Sequence, residues 1–364
     1  MNTIATDRHR VGTLGEGGDE YRILIIDDDG SQRRLEKEVL SAGAYRITEV
    51  EDGVQGLQIL AREEFDVVLL DKCMPGIDGD QVCRKVRQEL GLTLLPIIMV
   101  TGSDSDDEMQ KSMQAGASDF VRKPFSTAEL LARVNSAATH KRLTDQMDDA
   151  ESLLFALARM VEAKDTNTGD HCSRLAHISV VFGTALGLDR SQLIALQRGG
   201  VLHDIGKLGI PESILLKPGP LNEREWVVMR QHTVIGEQIC SGLQSMRATL
   251  PIIRSHHERW DGSGYPDGLA KEQIPFLARV FQIADIYDAL SHKRPYKKAM
   301  GIEQVTGIME MEVKKGWRDP ELMAVFLDIV RNRPQDLQLP DEFQQDKASR
   351  IFESIRRTGV LDWR

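Results

Sequence analysis

Five of the chain's nine histidines form a spaced series with aspartates among them: His171, the pair His203-Asp204, His232, and the pair His256-His257, followed by Asp285. Imidazole and carboxylate donors together suit Zn, Fe or Mn. Seven donors are more than one catalytic metal needs, because such a metal keeps a position open for water or substrate. The set fits two metals a few ångströms apart that share Asp204. A metal pair polarises a phosphoryl oxygen and supplies hydroxide at neutral pH, so hydrolysis of a phosphate ester is the chemistry to expect. Lys207, one helical turn after His203, is placed to neutralise a scissile phosphate. Tyr265 lies in a glycine-rich loop where a purine could stack on it. His177 and His292 fall outside the series and are read as ordinary core or surface histidines. Cys172 and Cys240 are read as structural thiols, since Cys172 sits beside a candidate ligand without completing a ligand spacing.

A second group of residues suggests phosphoryl chemistry of another kind. Asp27 and Asp28 follow one short apolar run and Asp71 follows another; Thr101 closes a further one, and Lys123 precedes Pro124 after the last. Three carboxylates in one cleft repel each other, and a hard cation with few protein ligands, Mg²⁺, is the natural neutraliser. Lys123 can offset the charge of a phosphoryl group, and Asp71 can act as the nucleophile that receives it. One aspartate at a strand end is usually a turn former or a helix cap; it is the set that departs from this.

The elements that must position these groups are legible in the patterning. Apolar runs at Ile23–Ile26, Ile47–Val50, Val67–Leu70, Ile97–Val100 and Asp119–Val121 alternate with helical patterns at 31–41, 53–62, 79–90 and 106–115 and from 126. This order predicts an α/β doubly wound parallel sheet of five strands, with ligands outside the carboxyl ends of the strands. Residues 1–20 are polar and glycine-rich and read as a flexible tail. From 126 to 163 there is no proline, and Leu143, Met147, Ala150, Leu154, Leu157 and Val161 form a heptad seam. The seam either packs into the second domain's own core or pairs two subunits. Residues 150–335 show helical spacing at 175–188, 192–202, 225–243, 276–290 and 302–313 and no clear strand, so an all-α domain is expected. A last helix is expected around 341–357.

Composition narrows the function further. At 41% hydrophobic and 28% charged the chain is globular in composition. It lacks any apolar run near the roughly 18 residues that cross a membrane, and it has no secretory pattern at its N-terminus. Four cysteines without a C-x-x-C pair fit a reducing compartment, so a cytoplasmic location is expected. A formal net charge of −10 disfavours DNA as a partner.

Two resemblances follow from the motifs. Residues 21–140 resemble a two-component receiver domain through Ile25-Ile26-Asp27-Asp28-Asp29, Leu70-Asp71-Lys72-Cys73-Met74-Pro75, Val100-Thr101-Gly102 and Lys123-Pro124-Phe125. The resemblance implies that Asp71 accepts phosphate from a cognate histidine kinase. It also implies that Asp28 and Asp71 hold Mg²⁺ with Asp27 assisting, that Thr101 reorients toward the phosphoryl group, and that Phe120 is the rotating aromatic residue. Residues 150–335 resemble an HD-GYP domain, a branch of the HD metal-dependent phosphohydrolases. The motifs are His203-Asp204-Ile205-Gly206-Lys207, His256-His257-Glu258, Asp261-Gly262-Ser263-Gly264-Tyr265-Pro266, Asp285-Ile286-Tyr287-Asp288-Ala289-Leu290 and Arg294-Pro295-Tyr296.

This second resemblance implies hydrolysis of cyclic di-GMP to the linear dinucleotide, with further cutting to GMP open. Two transition-metal ions, Fe or Mn, are implied: one on His171, His203, Asp204 and Asp285, the other on Asp204, His232, His256 and His257. Arg294 and Lys297 are implied phosphate contacts. Some members carry a glutamate four residues before the first histidine that helps bind a third metal; here that position is Asn167, so two metals are expected. The domain reading is a tail over 1–20, receiver over 21–135, linker helix over 136–160, HD-GYP domain over 150–335 and a helical extension over 336–364. A homodimer and contacts with other cyclic di-GMP signalling proteins are expected. Two alternatives stay open: a catalytically quiet cyclic di-GMP sensor acting by protein contact, and a hydrolase of another cyclic dinucleotide such as cyclic GMP-AMP.

Overall fold

The computed structural model describes residues 20–103, 105–166, 171–292 and 300–340. The N-terminal tail, Asn167, the Lys293–Lys298 basic run with Arg294 and Lys297, and the expected helix at 341–357 lie outside the described residues. The chain divides into two units, 1–146 and 147–364.

In the first unit, β1 (Tyr21–Ile26), β2 (Tyr45–Val50), β3 (Val67–Asp71), β4 (Ile97–Thr101) and β5 (Asp119–Arg122) alternate with α1 (Gly30–Leu40), α2 (Gly53–Leu60), α3 (Gly79–Gln88) and α4 (Asp106–Ala115). The strands form one parallel sheet in the order β2-β1-β3-β4-β5. The doubly wound expectation holds. β3 and β4 are buried along their whole length, which explains why they read as unbroken apolar runs rather than alternating ones. On one face Ile23, Ile25, Leu69 and Val100 pack against Val39 and Leu40 of α1 and Leu130 and Val134 further on. On the other, Leu24, Leu70 and Met99 meet Leu60, Val82, Val86 and Ala115. Short polar caps end the strands and start the helices. Asp29 accepts from the Ser31 and Gln32 amides, and Asp78 forms a capping box with Gln81.

A 40-residue helix, α5 (Thr127–Thr166), follows in sequence. The heptad seam on it is divided. Leu143 and Met147 are exposed, whereas Val161 is buried and Leu154 packs with Phe155 and Ala158 in a core of the second unit, against Val201, Leu202, Ile205 and Ile253.

That unit continues with α6 (His171–Ala185), α7 (Arg190–Leu202), α8 (Glu212–Leu215), α9 (Glu223–Arg230), α10 (His232–Cys240), α11 (Leu250–Ser255), α12 (Phe276–Ser291), α13 (Ile302–Lys314) and α14 (Pro320–Asn332). Phe182, Phe281, Ile283, Tyr287, Met309 and Phe326 share its main core, so α12 runs through the middle of the bundle. Apart from one isolated bridge, Asp261 with Ala270, no strand pairing occurs among its described residues. The run 225–243, which reads as one helical stretch, is two helices that break at Gln231, and His232 opens the second.

Candidate metal centre and phosphoacceptor cleft

Five separate pieces of the bundle deliver the metal-ligand candidates. His203 and Asp204 end α7 and enter a single 3₁₀ turn, Ile205–Gly209. His232 begins α10, His256 and His257 follow α11, and Asp285 sits on α12 with His171 at the start of α6 opposite. Close backbone packing sets the spacing. A Cβ at Gly206 would lie 1.8 Å from the His232 carbonyl oxygen and 2.4 Å from the Gly236 amide, so only glycine lets the 3₁₀ turn press against α10.

The donors fall into two groups, His171, His203 and Asp285 in one and Asp204, His232, His256 and His257 in the other; within each group they lie within 4.8 Å of one another. Asp204 spans both. Its Oδ2 is 3.3 Å from His203 Nε2, and its Oδ1 is 3.4 Å from His232 Nε2 and 4.0 Å from His256 Nε2. Asp285 Oδ1 lies 4.0 Å from His171 Nε2.

The protonation pattern fits cations at this centre. His232 Nδ1 donates to the Met229 carbonyl at 2.8 Å and His256 Nδ1 to the Ile253 carbonyl at 2.9 Å. A carbonyl only accepts, so both rings carry their proton on Nδ1 and, when neutral, a lone pair on Nε2. Burial holds both imidazoles below the ordinary histidine range, hence neutral. Their Nε2 atoms nevertheless face each other at 3.4 Å. Two lone pairs so placed repel unless a cation lies between them and Asp204. Burial likewise pushes His257 down to about 3. Burial works to raise Asp204, but Lys207 and His203 outweigh it and hold the carboxyl well below its usual range. Lys207 Nζ is 2.8 Å from Asp204 Oδ2.

Asp288, one turn beyond Asp285, is a residue that the spacing of the candidate ligands does not single out. It is 1% exposed, accepts from His171 Nδ1 at 2.6 Å and from Arg174 Nε at 2.8 Å, and lies 3.0 Å from His292 Nδ1. The contact turns His171 Nε2 toward Asp285, as a carboxylate behind a metal-binding histidine does. The position i+3 from Asp285 on one helix face was the available signal. In the sequence, Glu258 has no role beyond its place in the His256-His257-Glu258 motif. It is fully buried, and its two oxygens accept from the Asp267 and Leu269 amides, tying down the loop that carries Tyr265. A Cβ at Gly264 would sit 2.4 Å from the Glu258 Cα, so that loop closes tightly over its anchor. Tyr265 lies 4.7 Å from the His257 ring. His177 is buried with Nε2 2.8 Å from the Asp336 carbonyl; it, Cys172 and Cys240 belong to neither group of donors.

In the first unit, the ends of β1, β3 and β5 bring Asp27, Asp71 and Lys123 together. Lys123 Nζ donates to Asp27 Oδ2 at 2.8 Å and to Asp71 Oδ1 at 2.6 Å, while the Cys73 amide donates to Asp71 Oδ2 at 2.7 Å. Burial raises the Asp71 carboxyl, against the pull of Lys123. The three consecutive aspartates have three different surroundings: Asp27 is buried, Asp28 is exposed, and Asp29 caps α1. Thr101 is buried at the end of β4, and Phe120 is half-buried between the Arg122 and Arg133 guanidiniums, at 5.9 and 5.7 Å.

Known proteins match both units. Residues 23–135 match the response regulator receiver domain and residues 156–322 the HD domain. The chain is 35% identical to the cyclic di-GMP phosphodiesterase response regulator RpfG of Xanthomonas campestris, over 90% of this chain and 91% of the relative. It is 33% identical to a probable cyclic di-GMP phosphodiesterase of Vibrio cholerae, over 84% of this chain and 77% of the relative. A third relative, 3′3′-cGAMP-specific phosphodiesterase 3 of Vibrio cholerae, is 37% identical over 55% of this chain and 42% of its own. The chain belongs to the response regulators that join a receiver domain to an HD-type, metal-dependent phosphodiesterase domain.

Proposed function

We propose that this chain hydrolyses cyclic di-GMP at a dinuclear centre and that phosphorylation of Asp71 controls the reaction. The observation that carries the reading is the opposition of the His232 and His256 Nε2 lone pairs at 3.4 Å across from Asp204, which itself faces both groups of donors. His171, His203, Asp204 and Asp285 hold one ion, and Asp204, His232, His256 and His257 the other, with Fe or Mn the ions of choice for such donors. When bound, the ions supply Lewis acidity and lower the pKa of water. Lys207, paired with Asp204, offsets negative charge that develops on the phosphoryl oxygens. Asp288 fixes the His171 ring, and Tyr265 closes one side of the site. Arg294 and Lys297 are assigned to the substrate phosphates on the family resemblance. The linear dinucleotide is the first product.

The domain reading of the sequence is kept: tail 1–20, receiver 21–135, linker 136–160, phosphodiesterase domain 150–335, extension 336–364. In the receiver, Asp27, Asp28 and Asp71 hold Mg²⁺ and Lys123 steadies the phosphoryl group; a histidine kinase is the donor. Thr101 and Phe120 respond to it, and α5, the covalent path between the units, carries the change, with a homodimer as the paired form. Among the described residues no helix is long and apolar enough to cross a membrane, and the cytoplasm is the proposed location. A second reading, a hydrolase of cyclic GMP-AMP, is favoured by the relative of that specificity, which matches 55% of this chain.

The test is hydrolysis of cyclic di-GMP and cyclic GMP-AMP by full-length protein loaded with Mn²⁺ or Fe²⁺, beside the double variant His203→Ala/Asp204→Ala. Turnover of cyclic di-GMP by the wild type alone, with fewer ions bound by the variant, is the expected result. Undiminished turnover by the variant overturns the site. Tight binding without turnover in either metal makes the protein a sensor, and preference for cyclic GMP-AMP moves the substrate to the second reading.

A further inference from the structure

Beside the metal centre lies a cleft of about 630 Å³, within the roughly 300–1,000 Å³ usual for small-ligand pockets. His257 and Tyr265 form the wall it shares with the centre; Trp226, Arg230 and Arg259 also line it. Two features set this lining apart from an ordinary surface depression.

The first is an indole left open. Residues 223, 226, 227 and 230 of α9 all line the cleft, and their spacing puts them on one stripe of the helix. Among the described residues none packs over that stripe deeply enough to bury it: Trp226 is 44% and Val227 63% exposed, and α9 has no buried residue. A flat aromatic at the lip of a cavity beside phosphoryl chemistry is a platform on which a base stacks. The second is a pair of guanidiniums. Arg259 is held over the Trp317 ring at 4.0 Å, and its Nη1 reaches Ser263 Oγ only at 3.4 Å. Among the described residues neither Arg259 nor Arg230 has a carboxylate at ion-pair distance, whereas Arg318 in the same wall is engaged by Glu312 at 2.8 Å and by Gln282 at 3.2 Å. A guanidinium fork matches the O6/N7 acceptor edge of guanine and is repelled by the N6 amino donor that adenine presents there.

We propose that this cleft is a guanine-recognition pocket: Trp226 stacks the base and Arg259, with Arg230 beside it, reads the O6/N7 edge. The chain therefore prefers guanine-containing cyclic dinucleotides to adenine-only ones. The inference rests on the cyclic-dinucleotide reading of the metal centre and adds the source of its base specificity. It is tested on the full-length, metal-loaded chain by calorimetric titration and by kcat/KM, with cyclic di-GMP and cyclic di-AMP as the two probes. Wild type is expected to favour cyclic di-GMP. Arg259→Lys keeps the charge but loses the fork, and it should reduce that preference about tenfold while leaving cyclic di-AMP binding unchanged. Trp226→Ala should weaken both dinucleotides about tenfold, and Trp226→Phe should recover most of the loss. Unchanged metal content and melting temperature identify variants that fold. Equal loss for both dinucleotides in Arg259→Lys overturns edge reading, because it makes Arg259 a phosphate contact. Wild-type behaviour in every variant removes the cleft from the substrate site while leaving the hydrolase intact. A wild type that binds neither probe sinks the parent reading, and this one with it.

Discussion

Glu36 offers a sharp test of how the receiver unit is held together. It lies on the face of α1 that also carries Val39 and Leu40, it is fully buried, and among the described residues neither carboxyl oxygen has a hydrogen-bond partner. Burial, reinforced by the charges of Asp27 and Asp71 and opposed by Lys123, pushes its pKa up to about 8 from an ordinary 4.5. The folded protein thus keeps the proton up to about pH 8, while the unfolded chain releases it near pH 4.5. Folding takes up a proton between these values, so stability falls as pH rises through that window. The slope is about 1.4 kcal/mol per pH unit, or about 2–3 kcal/mol between pH 5.5 and 7.5. Glu36→Leu removes the titrating group and puts an apolar side chain about one methylene larger in its place. The assay is hydrogen exchange of the full-length chain at the two pH values, read at the β1 amides Ile23–Ile26 after correction for intrinsic exchange. Wild type should lose about 2–3 kcal/mol of opening free energy between them; the leucine variant should lose that much less and be the more stable at pH 7.5. A variant whose pH dependence matched the wild type's would refute the assignment of a buried, protonated Glu36.

Three further outcomes follow from the same geometry. Asp288→Asn keeps the shape behind His171 but removes the charge; metal affinity at the His171/His203/Asp285 group should fall about 10–100-fold in a calorimetric titration, and an unchanged affinity would mean that Asp288 serves only its other partners, Arg174 and His292. Gly206→Ala places a methyl 1.8 Å from the His232 carbonyl oxygen; thermal unfolding should show a loss of about 1–3 kcal/mol or more, together with reduced metal content. Asp71→Asn should make phosphodiesterase activity insensitive to acetyl phosphate, and a variant that responded as the wild type does would break the proposed link between the units.

The amino-acid sequence by itself determined the five-stranded doubly wound sheet, the helical second unit and the seven donor residues. These are local properties: buried parallel strands read as apolar runs, helices repeat every three to four residues, and ligand chemistry is written in residue type. Tertiary structure decided what each residue does. Asp27, Asp28 and Asp29 are alike in sequence, yet only the fold buries the first, exposes the second and caps a helix with the third. The Leu143–Val161 seam is uniform in sequence, yet its two ends have different surroundings. Asp288 meets His171 across 117 residues of chain, and Glu36 is an ordinary helix-surface residue type until α1 packs it against the sheet. The direction of an imidazole lone pair depends on which carbonyl or carboxylate stands behind the ring. That partner is supplied by packing between helices distant in sequence, so local pattern names the candidate ligands while only the assembled bundle orients them.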